Sequence, residues 1–459
     1  MSTNRSRSGL RANQDPSDLR QAAVRPMLDA SLGYWLLFAL LTAIVLAGAA
    51  AWIYQLSRGF VVTGLDQNTT WGVYTVDLVT FIGLSYGGAL VSAILRLTGA
   101  AWRTPITRIA EATALVTLLI GAAYPIIHMG RPERVWRIFF EPRGSSPMTW
   151  DTFAILTYLI ATIIFFYLAL VPDLGLYARW AGLRVGRFRR WILRVFSIKW
   201  NDLPGQKRPL ERALTIMSIL IIPIAVYVHS VLAWAFSVTS RPGWHSTVFA
   251  PYFVVAALYS GVALVIVAVS IYRSTYRLQA YITPVQIRNL GFLLLTLGVL
   301  YAYFTFAEML TEGYTATEEG IAILSLLLVG RYSVLFWGWI IGGLLVPVLL
   351  IALPWTRNVV GITTASVLVI VGMWIKRFLI VVPAMELSLI SKEIVPYFPS
   401  WVELTITAAG IAGIPWLLMI VFRFIPVLPV YDIEEEVGHK EPTPSTKRAP
   451  QGGKLSGGA

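Results

Sequence analysis

Ten long apolar stretches, each close to twenty residues and almost free of charge, succeed one another along most of this chain. A helix rises about 1.5 Å per residue, so roughly twenty residues cross the ~30 Å hydrocarbon layer of a bilayer. Inside that layer water is absent, and a lipid-facing backbone must satisfy its own hydrogen bonds. Repeated stretches of this length and character therefore predict spanning helices. They centre on Tyr34–Tyr54, Val73–Leu95, Ile109–Ile127, Trp150–Val171, Leu214–Trp234, Phe249–Ile271, Asn289–Leu310, Ser333–Leu353, Val359–Val382 and Val402–Ile425. The fold class is all-α, a polytopic membrane protein with ten transmembrane helices. The polar first 30 residues lack an apolar core and are not expected to be a cleaved signal peptide. The tail from Tyr431 opens with DIEEE and turns Pro-, Gly-, Ser- and Lys-rich. It is expected to be flexible, or a strap for a partner.

Charge then orients the helices. Termini and loops after even-numbered spans hold 26 Lys and Arg, against 8 in the loops on the other side. Basic residues mark the cytoplasmic face, so both termini are expected in the cytoplasm of a cell whose inner membrane holds the protein. The same rule explains the net charge of +13 without nucleic acid as a partner. The bilayer is the partner that charge distribution implies.

One loop stands out on the opposite, periplasmic side. It reads HMGRPERVWRIFFEPRGSSPMTWD, from His128 at the end of the third span to Asp151 at the start of the fourth. Ionisable groups at such depth cost about 3 kcal/mol on insertion scales, and a function is the first hypothesis for them. Tyr124 lies one helical turn below His128, with Pro125 expected to bend the helix. Ser146 or Thr149 is expected to cap the fourth span. Asp77 comes from the outer end of the second span and His229 from the outer end of the fifth. The bland readings are an interfacial histidine, a helix-start aspartate, an Asp77 that salt-bridges Arg131 or Arg134, and a hydrogen-bond-satisfied core His229. His245, in the short RPGWHS loop, is expected to be solvated or to touch a partner.

Convergence of these groups suits quinol oxidation. A quinol releases two protons as two electrons leave. An imidazole and a partly buried carboxylate are suitable acceptors for them. The chain contains no cysteine, which excludes disulfides and an iron–sulfur cluster held by this subunit. Its four histidines, one of them in the tail, lack the paired helical spacing that bis-histidine haems need. Electrons must therefore pass to a separate redox partner.

The run H-M-G-R-P-E-R-V-W, followed by S-P-M-T-W-D, resembles the signature of the NrfD/PsrC family of quinol-binding membrane subunits. Ten spans, long termini and a large basic loop between the fourth and fifth are similar to the integral subunits of bacterial alternative complex III. The resemblance implies His128 and Asp151 as the quinol pair, with Asp77 and Arg131 in support. Tyr124 and His229 rank as further binding or relay groups. It implies a periplasmic iron–sulfur partner, a second NrfD-like membrane subunit, multihaem cytochromes of the c type, and menaquinol rather than ubiquinol. It also implies two four-helix bundles, about 71–235 and 249–382, with flanking helices. In the second half, Glu308 and Arg331 are expected to echo His128 and Asp151. Lys376 and Arg377, followed by Glu386, extend a second polar cluster, either a proton path or an ion-pair lock. The competing readings are a structural paralogue in the same complex, the membrane anchor of a molybdoenzyme such as polysulfide reductase, and a secondary transporter. The transporter reading lacks its expected broken helices and midplane groups.

Overall fold

The computed structural model describes residues 16–180, 186–388 and 393–438. Ten of its helices are long and apolar enough to cross a membrane: Leu32–Arg58, Val73–Leu97, Thr104–Ile127, Pro147–Arg179, Pro204–Ser237, Phe249–Thr275, Pro284–Thr315, Ser333–Ala352, Val359–Glu386 and Trp401–Phe424. They are numbered below as spans 1 to 10. Among the described residues no β-strand forms, only a single bridge between Leu387 and Ile394. Ten crossings return the chain to the end where it started. One end therefore carries both termini and the other carries His128.

Local chemistry explains where the helices begin. Pro147, Pro204 and Pro284 occupy first positions, where a missing N–H costs nothing. Thr283 with Gln286, and Ser400 with Glu403, form reciprocal capping boxes. Ser146 precedes span 4 but makes no side-chain cap, and Thr149 lies inside the helix. The proline at the first position supplies the start that a capping hydroxyl was expected to provide.

Spans 2 to 5 pack as one four-helix bundle and spans 6 to 9 as another. Span 2 joins them by packing along span 6, and all its residues from Val73 to Ala93 except Leu78 are buried. The crossing is close because Gly87 meets Gly261 backbone to backbone; a Cβ on either would collide with the other helix. Spans 1 and 10 pair with each other, and span 10 leans on span 3. Span 1 keeps most of its apolar surface outward, as a lipid-facing helix does.

Span 8 departs from a plain α-helix. Between Trp339 and Leu345 it widens into a π-helix, and Gly343 there packs against Gly372 of span 9. The helix is deformed but unbroken.

At the terminal end the residues from Tyr431, expected to be flexible, begin as a helix. Val430–Gly438 is helical and packs on spans 3 and 4 and on the helix Pro16–Leu28. Tyr431 donates its backbone N–H to Asp173 at 2.8 Å, and Arg20 binds Glu434 through two hydrogen bonds of 2.7 and 2.9 Å. The acidic run that looked like a solvated tail finds arginines on the body of the protein. Residues from 439 onward lie outside the described part of the chain.

Candidate functional site

His128 caps the last turn of span 3, its N–H returning to the Tyr124 carbonyl at 2.8 Å. Its Nε2 lies 3.0 Å from the carbonyl oxygen of Thr70, and its ring faces Phe60 and Tyr74. Burial pushes the imidazole below the usual histidine range, against smaller opposing effects of the Thr70 carbonyl and the Glu403 carboxylate. At neutral pH the ring is therefore uncharged.

Behind it stands a set of hydrogen-bonded groups drawn from distant parts of the chain. Tyr74 of span 2 donates to Gln55 Oε1 of span 1 at 2.5 Å, and Gln55 Nε2 donates to the carbonyl of Ile127 at 3.2 Å. Glu403, in the first turn of span 10, accepts from the Tyr397 hydroxyl at 2.6 Å. Its other oxygen accepts the backbone N–H groups of Gly64 at 2.6 Å and Ser400 at 2.8 Å. The Tyr397 hydroxyl in turn accepts the N–H of Val73 at 3.1 Å. Loops between spans 1 and 2 and between 9 and 10 are thus tied to the helix that carries Asp77.

Asp77 itself is fully buried. Its Oδ1 accepts from Trp374 Nε1 of span 9 at 2.9 Å, and its Oδ2 from Thr407 of span 10 at 2.5 Å. Tyr124, stacked on Phe81, sets its hydroxyl beside this carboxylate and 3.3 Å from the Ile406 carbonyl. Asp77 does not salt-bridge Arg131 or Arg134. Arg131 is exposed in the loop, starting the short helix Pro132–Arg134.

Asp151 stands apart from this set. It sits in the second turn of span 4, and its Oδ1 is buried with no hydrogen-bond partner. No hydrogen bond or ion pair joins it to His128. His229 belongs elsewhere too, at the contact between the bundles, with its ring 4.2 Å from Tyr86. Neither of its ring nitrogens has a partner, so it is not the hydrogen-bonded core histidine expected from its position. Gly83 leaves the space that the Arg377 guanidinium and the His229 ring both occupy, and Arg377 donates to Ser260 at 2.8 Å.

The second polar cluster divides in two. Lys376 lies 3.9 Å from Glu308 and over the rings of Trp339 and Tyr252. Arg331 instead pairs with Glu386 at 3.1 Å, and Glu386 also accepts from the Tyr332 hydroxyl at 2.6 Å. Glu308 and Arg331 therefore do not meet as a counterpart of His128 and Asp151. Each finds its partner on span 9, because spans 7 and 8 both pack against that helix.

Gln55, Tyr74, Tyr397 and Glu403 were not singled out from the sequence. Only Glu403 left a signal there, as the third residue of the Ser400 capping box. The others look like ordinary interfacial residues until distant loops bring partners to them.

Ten membrane-length helices, eight of them in two bundles and two in a flanking pair, with a buried polar network at one end, define a multi-pass integral membrane protein. The family model for polysulphide reductase NrfD matches residues 61–387, and the chain belongs to that family. Similar proteins include a membrane subunit of a putative dimethyl sulfoxide reductase from Halobacterium salinarum, 31% identical over 76% of this chain and 77% of that protein. A selenate reductase subunit from Mesobacillus selenatarsenatis is 25% identical over 89% of this chain and 98% of its own length. An Hdr-like menaquinol oxidoreductase integral membrane subunit of Archaeoglobus fulgidus is 24% identical over 88% of this chain and 97% of its own length.

Proposed function

We propose that this chain is the quinol-binding membrane subunit of a quinol:acceptor oxidoreductase complex, inactive by itself. In this reading both termini lie in the cytoplasm of a bacterial inner membrane, and the His128 end faces the periplasm. The observation that carries the reading is the placement of His128 at the end of span 3, against the Thr70 carbonyl and beside a network of buried polar groups, with burial favouring its uncharged form. An uncharged imidazole accepts a proton; a charged one does not.

The proposed reaction is the loss of two protons and two electrons from one quinol, leaving a quinone. His128 takes one proton at a ring nitrogen. Asp151, whose Oδ1 has no partner, accepts a hydrogen bond from the second hydroxyl and takes or relays the other proton. Asp77 and Tyr124 adjoin the site as relay groups, and the Thr407 and Trp374 donors stabilise a charge on Asp77. Both electrons go to a peripheral iron–sulfur subunit on the same face. Arg131, exposed there, is suited to an acidic partner surface. His229 and the Glu308–Lys376 and Arg331–Glu386 pairs are assigned to holding the bundles, with Arg377 between them.

Menaquinol is the favoured donor, supported by the name of the Archaeoglobus relative. The finer reading, an alternative complex III with a second NrfD-like subunit, multihaem cytochromes c and a part in proton translocation, rests on the sequence resemblance. A second reading, the membrane subunit of a molybdoenzyme, is favoured by the names of the two reductase relatives. Purification of the intact complex separates them: multihaem cytochromes support the first, and a molybdopterin subunit the second. In that complex, His128→Ala and Asp151→Asn are each expected to abolish most quinol oxidation while assembly persists. Full quinol oxidation by both variants overturns the proposal.

A further inference from the structure

A large cavity lies away from His128. A cleft of about 1050 Å³ runs between spans 1, 2, 6, 9 and 10, from the terminal end to Trp374 in the membrane interior. Its walls are Leu, Ile, Val, Ala and aromatic side chains. Its two ends differ in chemistry. At the deep end the polar groups are already engaged: Trp374 Nε1 donates to Asp77 and Thr80 Oγ1 to the Val76 carbonyl. That end offers a ligand no free donor and suits a hydrocarbon chain. The mouth carries Arg25, Arg277, Asp29, Ser31, Tyr34 and Tyr276.

Charge at the mouth is strongly one-sided. Arg25 is anchored through one nitrogen, which donates to the Tyr276 carbonyl at 2.9 Å. Arg423 holds the carbonyls of Pro26 and Asp29 at 3.0 and 3.3 Å and covers the ring of Tyr34. Arg189 holds the carbonyl of Met27 at 2.9 Å. Arg25 and Arg277 thus line the entrance, Arg189 and Arg423 hold the backbone segment from Pro26 to Asp29 beside it, and Asp29 is the acidic lining residue. Basic pockets between membrane helices at the cytoplasmic face select anionic lipid headgroups.

We propose that this cleft holds one anionic phospholipid, its phosphate at Arg25 and Arg277 and its acyl chains directed toward Trp374. A quinol is the wrong ligand for this orientation, because its hydroxyl-bearing ring would meet either an engaged, apolar apex or a cationic mouth. The lipid would fill the seam between the two bundles and the span 1–span 10 pair, next to the helix that carries Asp77. This inference does not depend on the proposed quinol chemistry.

Native mass spectrometry of the full chain in mild detergent tests it, with phosphatidylglycerol, phosphatidylcholine and menaquinone offered in parallel. The chain is expected to retain one phosphatidylglycerol in preference to the others. Arg277 has φ +54°, a left-handed conformation that asparagine adopts readily. The double variant Arg25→Gln/Arg277→Asn should therefore keep its backbone and weaken retention roughly 30-fold, about 2 kcal/mol at ~1 kcal/mol per basic residue. Val267→Trp, at a half-buried wall position, fills the cleft with the arginines intact and is expected to expel the lipid. Equal retention of phosphatidylcholine overturns the proposal, as does preferred retention of menaquinone. So does unchanged phosphatidylglycerol binding by Val267→Trp or by a folded double variant.

Discussion

Single residues decide the protonation chemistry at the His128 end. Burial lowers the imidazole pKa below its unfolded value near 6.5. The neutral ring is thus favoured by folding, and its contribution is fully present above pH ~6.5. That contribution is lost as pH falls through the lower folded-state value. Quinol oxidation by the intact complex is expected to decline on the acid side with an apparent pKa below ~6.5, and the residual oxidation left in His128→Gln should lack that limb. An unchanged acid limb in the variant would show that another group titrates. Glu403 makes a different kind of contribution. Its carboxylate satisfies one hydroxyl and two backbone donors in buried surroundings. Glu403→Ala leaves them unpaired and is expected to cost about 1–3 kcal/mol, read as a lower unfolding midpoint in detergent. Of the residues chosen from the sequence, His128, Asp77 and Tyr124 lie in this region. Each was visible as a polar group near the end of an apolar run. Gln55, Tyr74 and Tyr397 were not, since their partners come from spans or loops far away in sequence.

At the scale of helices, close packing depends on residues too small to be noticed in a hydropathy pattern. Gly87 and Gly261 let spans 2 and 6 touch through their backbones, and this contact joins the two bundles. Gly87→Leu must push these helices apart. It is expected to cost at least ~1–3 kcal/mol and to expose sites between the bundles to protease, measurable by limited proteolysis. Intact proteolytic resistance would show that the bundles adjust by sliding. The positions of the spans were legible because each needs only its own length and apolarity. The π-helix at Trp339–Leu345 was not, because it depends on how span 8 crosses span 9 at Gly343 and Gly372.

Across the whole molecule, the ends of the chain are built into the body. Arg108 and Asp173 form a 2.6 Å ion pair that is almost wholly buried, and the tail helix binds Asp173 through Tyr431. Arg108→Ala strands a buried carboxylate and is expected to destabilise by about 3–5 kcal/mol, whereas Arg108→Met with Asp173→Leu should be far milder. Thermal unfolding of both variants checks this; equal losses would mean that packing, rather than unpaired charge, dominates. The residues alone determined ten apolar helices of membrane-spanning length, with polar groups near the ends of several of them. Length, apolarity and the cost of burying charge are local properties, written along the chain. Which carboxylate meets which donor was decided only by the tertiary structure. Asp77 is held by Trp374 and Thr407, Glu308 by Lys376, and Glu386 by Arg331. Such partners are brought together by helix crossings between distant parts of the chain, and a linear pattern carries no record of those crossings.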